Sequence, residues 1–154
     1  MEDVTVVDSE IARVALGQRL VTEVAVGILI RANGDFLMTT RPAGKAYAGY
    51  WEFPGGKLEA NETVEEALRR ELLEEIGVVI EDAHIWRSSV VDYPHALVRL
   101  TFCKVSKWTG RLQMRESQQF AWQSLPVQVM PVLAGTIPVL LWLENEANHI
   151  LKTI

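Results

Sequence analysis

Three glutamates in the stretch EFPGGKLEANETVEEALRRELLEEIGV, residues 52–78, have a spacing that suggests metal chemistry. Glu71, Glu74 and Glu75 stand at i, i+3 and i+4, which on a helix brings three carboxylates to one side. Like charges placed in this way repel, at roughly 0.2–0.5 kcal/mol for each pair. Glu74 and Glu75 also lie toward the end of the predicted helix where its dipole disfavours anions. Local helix stability therefore does not explain these acids, whereas a bound cation would.

The residues around the acids suit a hard cation and a phosphate. Mg²⁺ prefers oxygen ligands and commonly bridges carboxylates to substrate phosphates. Gly55 and Gly56 would let the backbone approach closely, so that a main-chain carbonyl could join the carboxylates. Arg70 could hold an acid through a bidentate pair, and Lys57 could contact a phosphate. The alternative is a solvated acidic helix face, which is the usual meaning of a run of charges.

The helix that must position these acids has clear start and stop signals. Thr63 and Glu66 fit a capping box, so the helix should begin near Val64. Gly77 fits the left-handed position just beyond the last turn, with Val78 as the apolar residue that follows. Apolar residues at helical spacing predict its buried side, namely Val64, Ala67, Leu68, Leu72 and Ile76.

The segments before the glycine pair predict strands and a loop. VAVGILI (24–30) is almost continuously apolar, which indicates a strand buried on both faces. The turn NGD (33–35) connects it to FLMTT (36–40), so the two segments are predicted to form a hairpin. RPAGKAYAGY (41–50) is a predicted loop, because its proline and glycines break any periodicity.

The segments after the helix predict more strands and a last helix. VVIEDAHIWRSSVV, ALVRLTFCKV and FAWQSL have the composition of strands. GTIPVLLWLENEANHIL is predicted to be a helix with Thr136 as its N-cap and Pro138 in the first turn. Few helices among many strands indicate a mixed α/β domain.

Composition and charge exclude several classes of protein. The chain has 154 residues, enough for one domain with a sizeable core. Its net charge of −5 argues against nucleic-acid binding through a basic surface, although bound cations would still allow a small polyanionic ligand. The single cysteine, Cys103, cannot form an internal disulfide and is expected to be a buried structural thiol. With no signal peptide and with IPVLLWL too short to cross a bilayer, we expect a cytoplasmic protein.

The helix and its flanks resemble the Nudix hydrolases, whose signature is G-x5-E-x7-R-E-U-x-E-E-x-G-U with U aliphatic. Every required position is filled, by Gly56, Glu62, Arg70, Glu71, Leu72, Glu74, Glu75, Gly77 and Val78. The stretch RPAGKAYAGYWEFPGGKLE is similar to the MutT branch, which includes the 8-oxo-dGTP pyrophosphohydrolases. The likeness implies a single Nudix domain over residues 21–154. Residues 1–20 lie outside it, as a helix capped by Ser9 or an ordered arm, and their role is open.

The resemblance implies a fold, a reaction and a metal site. The fold would be a Nudix-type α/β/α sandwich with a mixed β-sheet. The reaction would be hydrolysis of a nucleoside diphosphate linked to a further group, with Mg²⁺, for which Mn²⁺ can substitute. Glu71, Glu74 and Glu75 match the acids that hold the metal, and Gly55 matches the residue whose carbonyl joins them.

Further residues match catalytic positions of the family. Glu71 matches the acid often assigned as the base. Glu62 and Arg70 match the pair that orients the catalytic helix. Glu116 resembles a downstream loop acid that assists the metal or the water, and a solvated loop acid is the alternative. In MutT-like enzymes, water attacks a phosphorus of the triphosphate and releases a nucleoside monophosphate and pyrophosphate.

Four residues are implied at the nucleotide. Arg41 and Phe53 match positions used there, Arg41 for a phosphate or purine edge and Phe53 for packing against the base; core packing is the alternative for Phe53. Lys57 is expected at a phosphate. Thr136 stands where MutT-like proteins can carry an asparagine that reads the oxidised purine. Threonine offers one hydroxyl where asparagine offers an acceptor and two donors, so this departure keeps other substrates open.

Three functions follow from these residues and the resemblance. The first is a MutT-like nucleoside triphosphate pyrophosphohydrolase that clears oxidised purine nucleotides such as 8-oxo-dGTP. The second is a Nudix hydrolase of a pyrimidine triphosphate, a nucleotide sugar or ADP-ribose, and the third is a Nudix-fold binding module without catalysis. The expected partner is a nucleotide, with no stable nucleic-acid binding and no membrane association. Monomer and homodimer are both compatible with the sequence.

Overall fold

The computed structural model describes residues 5–7 and 20–153, and the helix predicted at Ser9 lies outside them. In chain order the strands are β1 (Thr5–Val7), β2 (Thr22–Leu29), β3 (Phe36–Thr40), β4 (Trp51–Glu52), β5 (Gly55–Lys57), β6 (Val79–Ile80), β7 (His84–Tyr93), β8 (Ala96–Val105), β9 (Trp108–Thr109) and β10 (Phe120–Gln123). The helices are α1 (Val64–Ile76) and α2 (Ile137–Thr153). Among these residues, neither helix is long and apolar enough to cross a membrane.

The largest sheet is mixed, as the sequence predicted. Its strand order is β1-β7-β8-β2-β5. β2 runs parallel to β8, and the other neighbours are antiparallel. A second sheet has the order β10-β3-β4, and β6 pairs with β9. Residues 5–7 thus add an edge strand beside β7, which gives part of the N-terminal segment a structural position.

The predicted hairpin of β2 and β3 is wrong in its pairing. The turn is present, and an isolated bridge joins Ile30 to Phe36. Beyond that bridge β3 leaves β2 and pairs with β10 and β4 in the second sheet. The reason is that β2 already has β8 on one edge and β5 on the other, so it has no free edge for β3.

The two faces of the large sheet each bury one helix. Ala25 and Leu29 of β2 pack with the apolar side of α1. Val26 and Ile28 pack in a different cluster that includes Val139 of α2. β2 is therefore buried on both faces, and the predicted α/β/α sandwich is confirmed.

The predicted ends of α1 are confirmed. Thr63 Oγ1 accepts a hydrogen bond from Glu66 N at 3.1 Å, and Thr63 N donates to Glu66 Oε1 at 3.0 Å. After the last turn, Gly77 has φ of +74° and donates its N–H to Leu73 O. These local bonds set the register in which the three acids emerge from the helix.

The later elements agree with the sequence, with one division. The segment predicted as a single strand from Val78 is divided into β6, which pairs with β9, and β7, which lies in the large sheet. Residues 81–83 connect the two strands and contact the turn after β8. There the Asp82 carboxylate accepts hydrogen bonds from Ser106 and Lys107. The last helix begins directly after Thr136, as predicted. Cys103 is buried, and burial raises the pKa of its thiol to about 11.

Candidate active site

The two glycines before α1 are needed for different reasons. A Cβ at Gly56 would lie 2.2 Å from Cδ and 2.4 Å from Oε2 of Glu71, so the Glu71 carboxylate fills the space of a side chain there. A Cβ at Gly55 would lie 2.0 Å from the carbonyl oxygen of Ala25, so the pairing of β5 with β2 requires this glycine. Close approach of the backbone is thus observed at both positions. The Gly55 carbonyl as a metal ligand stays a prediction.

Arg70 ties Glu71 to the segment before the helix. Its Nε and Nη2 donate to the two carboxylate oxygens of Glu62, each at 2.8 Å. Its Nη1 donates to Glu71 Oε1 at 2.8 Å, and Nη2 also donates to the carbonyl of Lys57 at 3.0 Å. Hydrogen bonds from Arg70 and from the Glu59 backbone hold the pKa of Glu62 at about 2. Arg70 and Glu62 are therefore paired, and their role in orienting the catalytic helix stays a prediction.

The three acids of the helix do not converge in the way that their spacing predicted. Glu74 lies 3.5 Å from Arg70 Nη1 with its side chain 60% exposed, whereas Glu75 is half-buried. Over residues 5–7 and 20–153, no three acidic, histidine or cysteine side chains form a ready-made metal cluster. Arg70 Nη1 donates to Glu71 Oε1 at 2.8 Å and lies 3.5 Å from Glu74 Oε2, and the spacing of the acids along the helix does not specify these contacts.

Glu75 interacts electrostatically with Glu71 of the same helix and also with acids outside it, among them the predicted loop acid Glu116. Burial, which is the largest cause, and the negative charges of Glu116, Glu71 and Glu52 together raise the pKa of Glu75 to about 8. The loop reaches the helix through its backbone, since Arg115 N donates to Glu75 O at 3.0 Å. Glu52 was not predicted from the sequence as a site residue, although it is the first residue of the stretch 52–78.

The nucleotide-side candidates differ in accessibility. Arg41 is 23% exposed and donates from Nε to the carbonyl of Ala46 at 2.6 Å and from Nη1 to Glu52 Oε1 at 3.2 Å. The Lys57 side chain is exposed at the end of β5, where it is free to meet a phosphate. These two cations remain candidates for substrate contacts.

Phe53 and Thr136 are buried. The Phe53 ring is 3% exposed and packs edge-to-face on Phe36 with 5.7 Å between ring centroids. The Phe53 ring therefore packs in the core, which was the alternative prediction for this residue. A base stacked on the face of the ring is not supported. Thr136 is 4% exposed and directly precedes α2. A contact from its hydroxyl to a base would need an opening beside the helix start.

The donor set fits a hard divalent cation. All candidate ligands are oxygens, and the Glu71 carboxylate is seated over the bare backbone of Gly56. The pKa of Glu75 is raised first by burial and then by repulsion from the negative charges of Glu116, Glu71 and Glu52. A divalent ion between them would offset this repulsion, and Mg²⁺ retains waters that a rearranging carboxylate can displace.

Replacing Glu75 with glutamine is expected to flatten the pH dependence of stability in the metal-free protein. The folded-state pKa of about 8 lies above the ordinary value of 4.5, so the folded protein holds an extra proton between these pH values. The contribution is complete below the lower value and is lost as pH rises toward the higher one. We expect Tm in EDTA to fall more steeply in wild type than in Glu75→Gln from about pH 5 to about pH 8. Glu74→Gln, which removes an exposed acid of the same helix, is the matched control, and equal slopes for wild type and Glu75→Gln would contradict the expectation.

Known proteins share both the sequence pattern and the fold. Residues 21–143 match the NUDIX domain. The 8-oxo-dGTP diphosphatase of Haemophilus influenzae is 39% identical over 102 residues, covering 66% of this chain and 75% of that protein. The CTP pyrophosphohydrolase of Escherichia coli is 34% identical over 117 residues, covering 75% of this chain and 86% of that protein.

Solved structures agree with these relatives. A structure of MutT, from work on the enzymes of Aliivibrio salmonicida and Vibrio cholerae, has a TM-score of 0.68 and 28% identity, covering 82% of this chain and 99% of that one. A MutT protein from Methanosarcina mazei shows the same fold, with a TM-score of 0.75 at 19% identity, over 85% of this chain and 98% of that one. With the complete signature on α1 and the glycine pair packed against it, the chain belongs to the Nudix family, as a MutT-like Nudix hydrolase.

Proposed function

We propose that the protein hydrolyses oxidised purine nucleoside triphosphates such as 8-oxo-dGTP to the nucleoside monophosphate and pyrophosphate. The observation that carries the proposal is the Glu71 carboxylate, seated over Gly56 and held by Arg70 beside Glu75. A fixed, half-buried carboxylate next to further acids is what metal-assisted hydrolysis of a phosphoric anhydride needs. The diphosphatase relatives support the choice of substrate.

The cation would be held by Glu71, Glu74, Glu75 and the carbonyl of Gly55. Nudix hydrolases need a divalent metal, and we propose Mg²⁺ as the ion, with Mn²⁺ able to replace it. When bound, such an ion neutralises phosphate oxygens and lowers the pKa of a bound water toward neutrality. Glu74 reaches this site only by leaving Arg70, a change that its exposed side chain permits.

The chain's own residues would then move one proton and orient the reactants. Glu71 accepts the proton of the attacking water, whose oxygen bonds to phosphorus while the bond to the bridging oxygen of the leaving group breaks. Arg70 and Glu62 keep the Glu71 carboxylate in place. Glu116 would assist the metal or the attacking water from its loop. Arg41 and Lys57 supply positive charge for the phosphates and the purine edge.

A pyrimidine triphosphate is the second candidate substrate. The Escherichia coli CTP pyrophosphohydrolase aligns over more of this chain than the Haemophilus influenzae enzyme does. The buried Thr136 offers fewer hydrogen bonds to a base than asparagine would. Both observations favour a substrate other than 8-oxo-guanine nucleotides, although the reaction would be the same.

A nucleotide panel tests both candidates. We would compare kcat/KM for 8-oxo-dGTP, dGTP, dCTP, CTP and ADP-ribose with Mg²⁺, with Mn²⁺ and in EDTA. The leading proposal expects a preference for 8-oxo-dGTP over dGTP, and no turnover in EDTA. A preference for CTP or dCTP would replace the substrate and keep the chemistry. Metal-independent turnover, or none with any compound, would overturn the proposal.

A further inference from the structure

The Arg41 guanidinium is held from two directions at the base of the loop 41–50. Its Nε donates to the carbonyl of Ala46 inside the loop, and its Nη1 donates to the Glu52 carboxylate across the loop. Its backbone is fixed as well, since Arg41 N donates to Tyr50 O at 2.8 Å and Gly49 N donates to Arg41 O at 2.9 Å. Side chain and backbone of Arg41 are therefore both constrained before any ligand arrives.

Glu52 provides the rigid end of this arrangement. It lies on β4, where it is paired with Thr39 of β3. On the other side of β4, the neighbouring Trp51 donates its N–H to Pro131 O at 2.8 Å and accepts from Leu133 N at 2.9 Å. A carboxylate on a strand held at both edges is a fixed reference for the arginine at the other end of the loop.

The negative charge of Glu52 is electrostatically unfavourable in its surroundings, apart from its interaction with Arg41 and Lys45. Burial raises its pKa, and Arg41 and Lys45 oppose that shift while Glu116 adds to it. Glu52 also raises the pKa of Glu75. A half-buried ion pair contributes little net stability, and one more anion beside a site for a polyanion would weaken binding. The interaction that favours a carboxylate at this position is the hydrogen bond that Glu52 accepts from Arg41.

We propose that Glu52 is a positioning residue, which holds the Arg41 guanidinium ready to contact the nucleotide. The inference rests on the proposed function, because it takes Arg41 as a substrate contact. A pre-oriented guanidinium loses less conformational freedom when the nucleotide binds, so the benefit should be seen in affinity more than in turnover. If Glu52 acted only as a negative charge, its removal would instead strengthen the binding of a polyanion.

The test is a double-mutant cycle with Glu52→Met, which removes both the charge and the hydrogen-bond acceptor, Arg41→Met and the combined variant. KM and kcat are measured with the best triphosphate of the panel, and Kd for the same triphosphate is measured in EDTA by calorimetry. We expect each single variant to raise KM and Kd about tenfold with kcat within about twofold of wild type. The combined variant should bind no worse than Arg41→Met, because Glu52 acts through Arg41.

The matched control is Glu23→Met, which removes another carboxylate–guanidinium pair, with Arg99 on β8. It should leave KM and Kd near the wild-type values, and Tm of every variant shows whether a change reflects folding. Unchanged or tighter binding by Glu52→Met would overturn the inference, as would effects of Glu52→Met and Arg41→Met that multiply. Absence of turnover by wild type would overturn the proposed function alone, because the comparison of Kd in EDTA still decides the inference.

Discussion

Glu71→Gln is expected to lower kcat by about 10²–10⁴-fold while the protein remains folded. Glutamine keeps the shape of the side chain but cannot accept the proton of the attacking water and is a poorer ligand for a hard cation. Arg70 keeps both hydrogen bonds to Glu62, so the network around the helix survives the change. The measurement is kcat of the purified variant at saturating Mg²⁺ and nucleotide, with Tm recorded beside it.

A second glutamate on the same helix provides the control for Glu71→Gln. Glu65 also pairs with an arginine, Arg69, at 2.9 Å, but its side chain is 53% exposed and it takes no part in the proposed site. Glu65→Gln should therefore leave kcat unchanged and lower stability by at most about 0.5 kcal/mol. Wild-type turnover in Glu71→Gln would refute the metal-site interpretation, whichever substrate the panel identifies.

Alanine at Gly56 and alanine at Gly55 are expected to damage different properties. In Gly56→Ala the new methyl group would displace the Glu71 carboxylate, so we expect kcat/KM to fall about 10²-fold or more. In Gly55→Ala the new methyl group would meet the backbone carbonyl of Ala25, which cannot move without parting β5 from β2. We expect this variant to lose about 2–3 kcal/mol of unfolding free energy.

The comparison of the two glycine variants requires activity and stability from the same preparations. Glu71 can swing away on its flexible side chain, so Gly56→Ala should lose little free energy of unfolding by urea denaturation. A Gly56→Ala variant with wild-type kcat/KM would show that the position of the Glu71 carboxylate over Gly56 does not contribute to catalysis. A fully stable Gly55→Ala variant would show that the strand pairing tolerates a side chain there.

The sequence predicted the helix α1 well because its signals are local. The capping box of Thr63 and Glu66 and the left-handed Gly77 act over three or four residues, so their outcome depends little on the rest of the chain. The pairing of β3 was different. Whether it stays with β2 depends on which strands take the edges of β2, and those strands are distant in sequence.

In the candidate site too, contacts within one short segment were predictable from the sequence and packing between distant segments was not. Arg70 and Glu62 pair as the sequence predicted, since both belong to the short segment that forms α1 and its entry. Phe53 could not be assigned from the sequence, because an aromatic residue beside a site serves equally as core or as ligand platform. Only the packing on Phe36 shows that its ring is in the core.

The sequence by itself determined the family, the helix register and the set of oxygen donors, because these depend on residue types at short, regular spacings. The tertiary structure decided which groups each acid interacts with. Arg70 holds Glu71 over Gly56, while burial and the charges of Glu116, Glu71 and Glu52 raise the pKa of Glu75. Electrostatic interaction depends on distance in space and on burial, and the spacing of residues along one helix does not determine either.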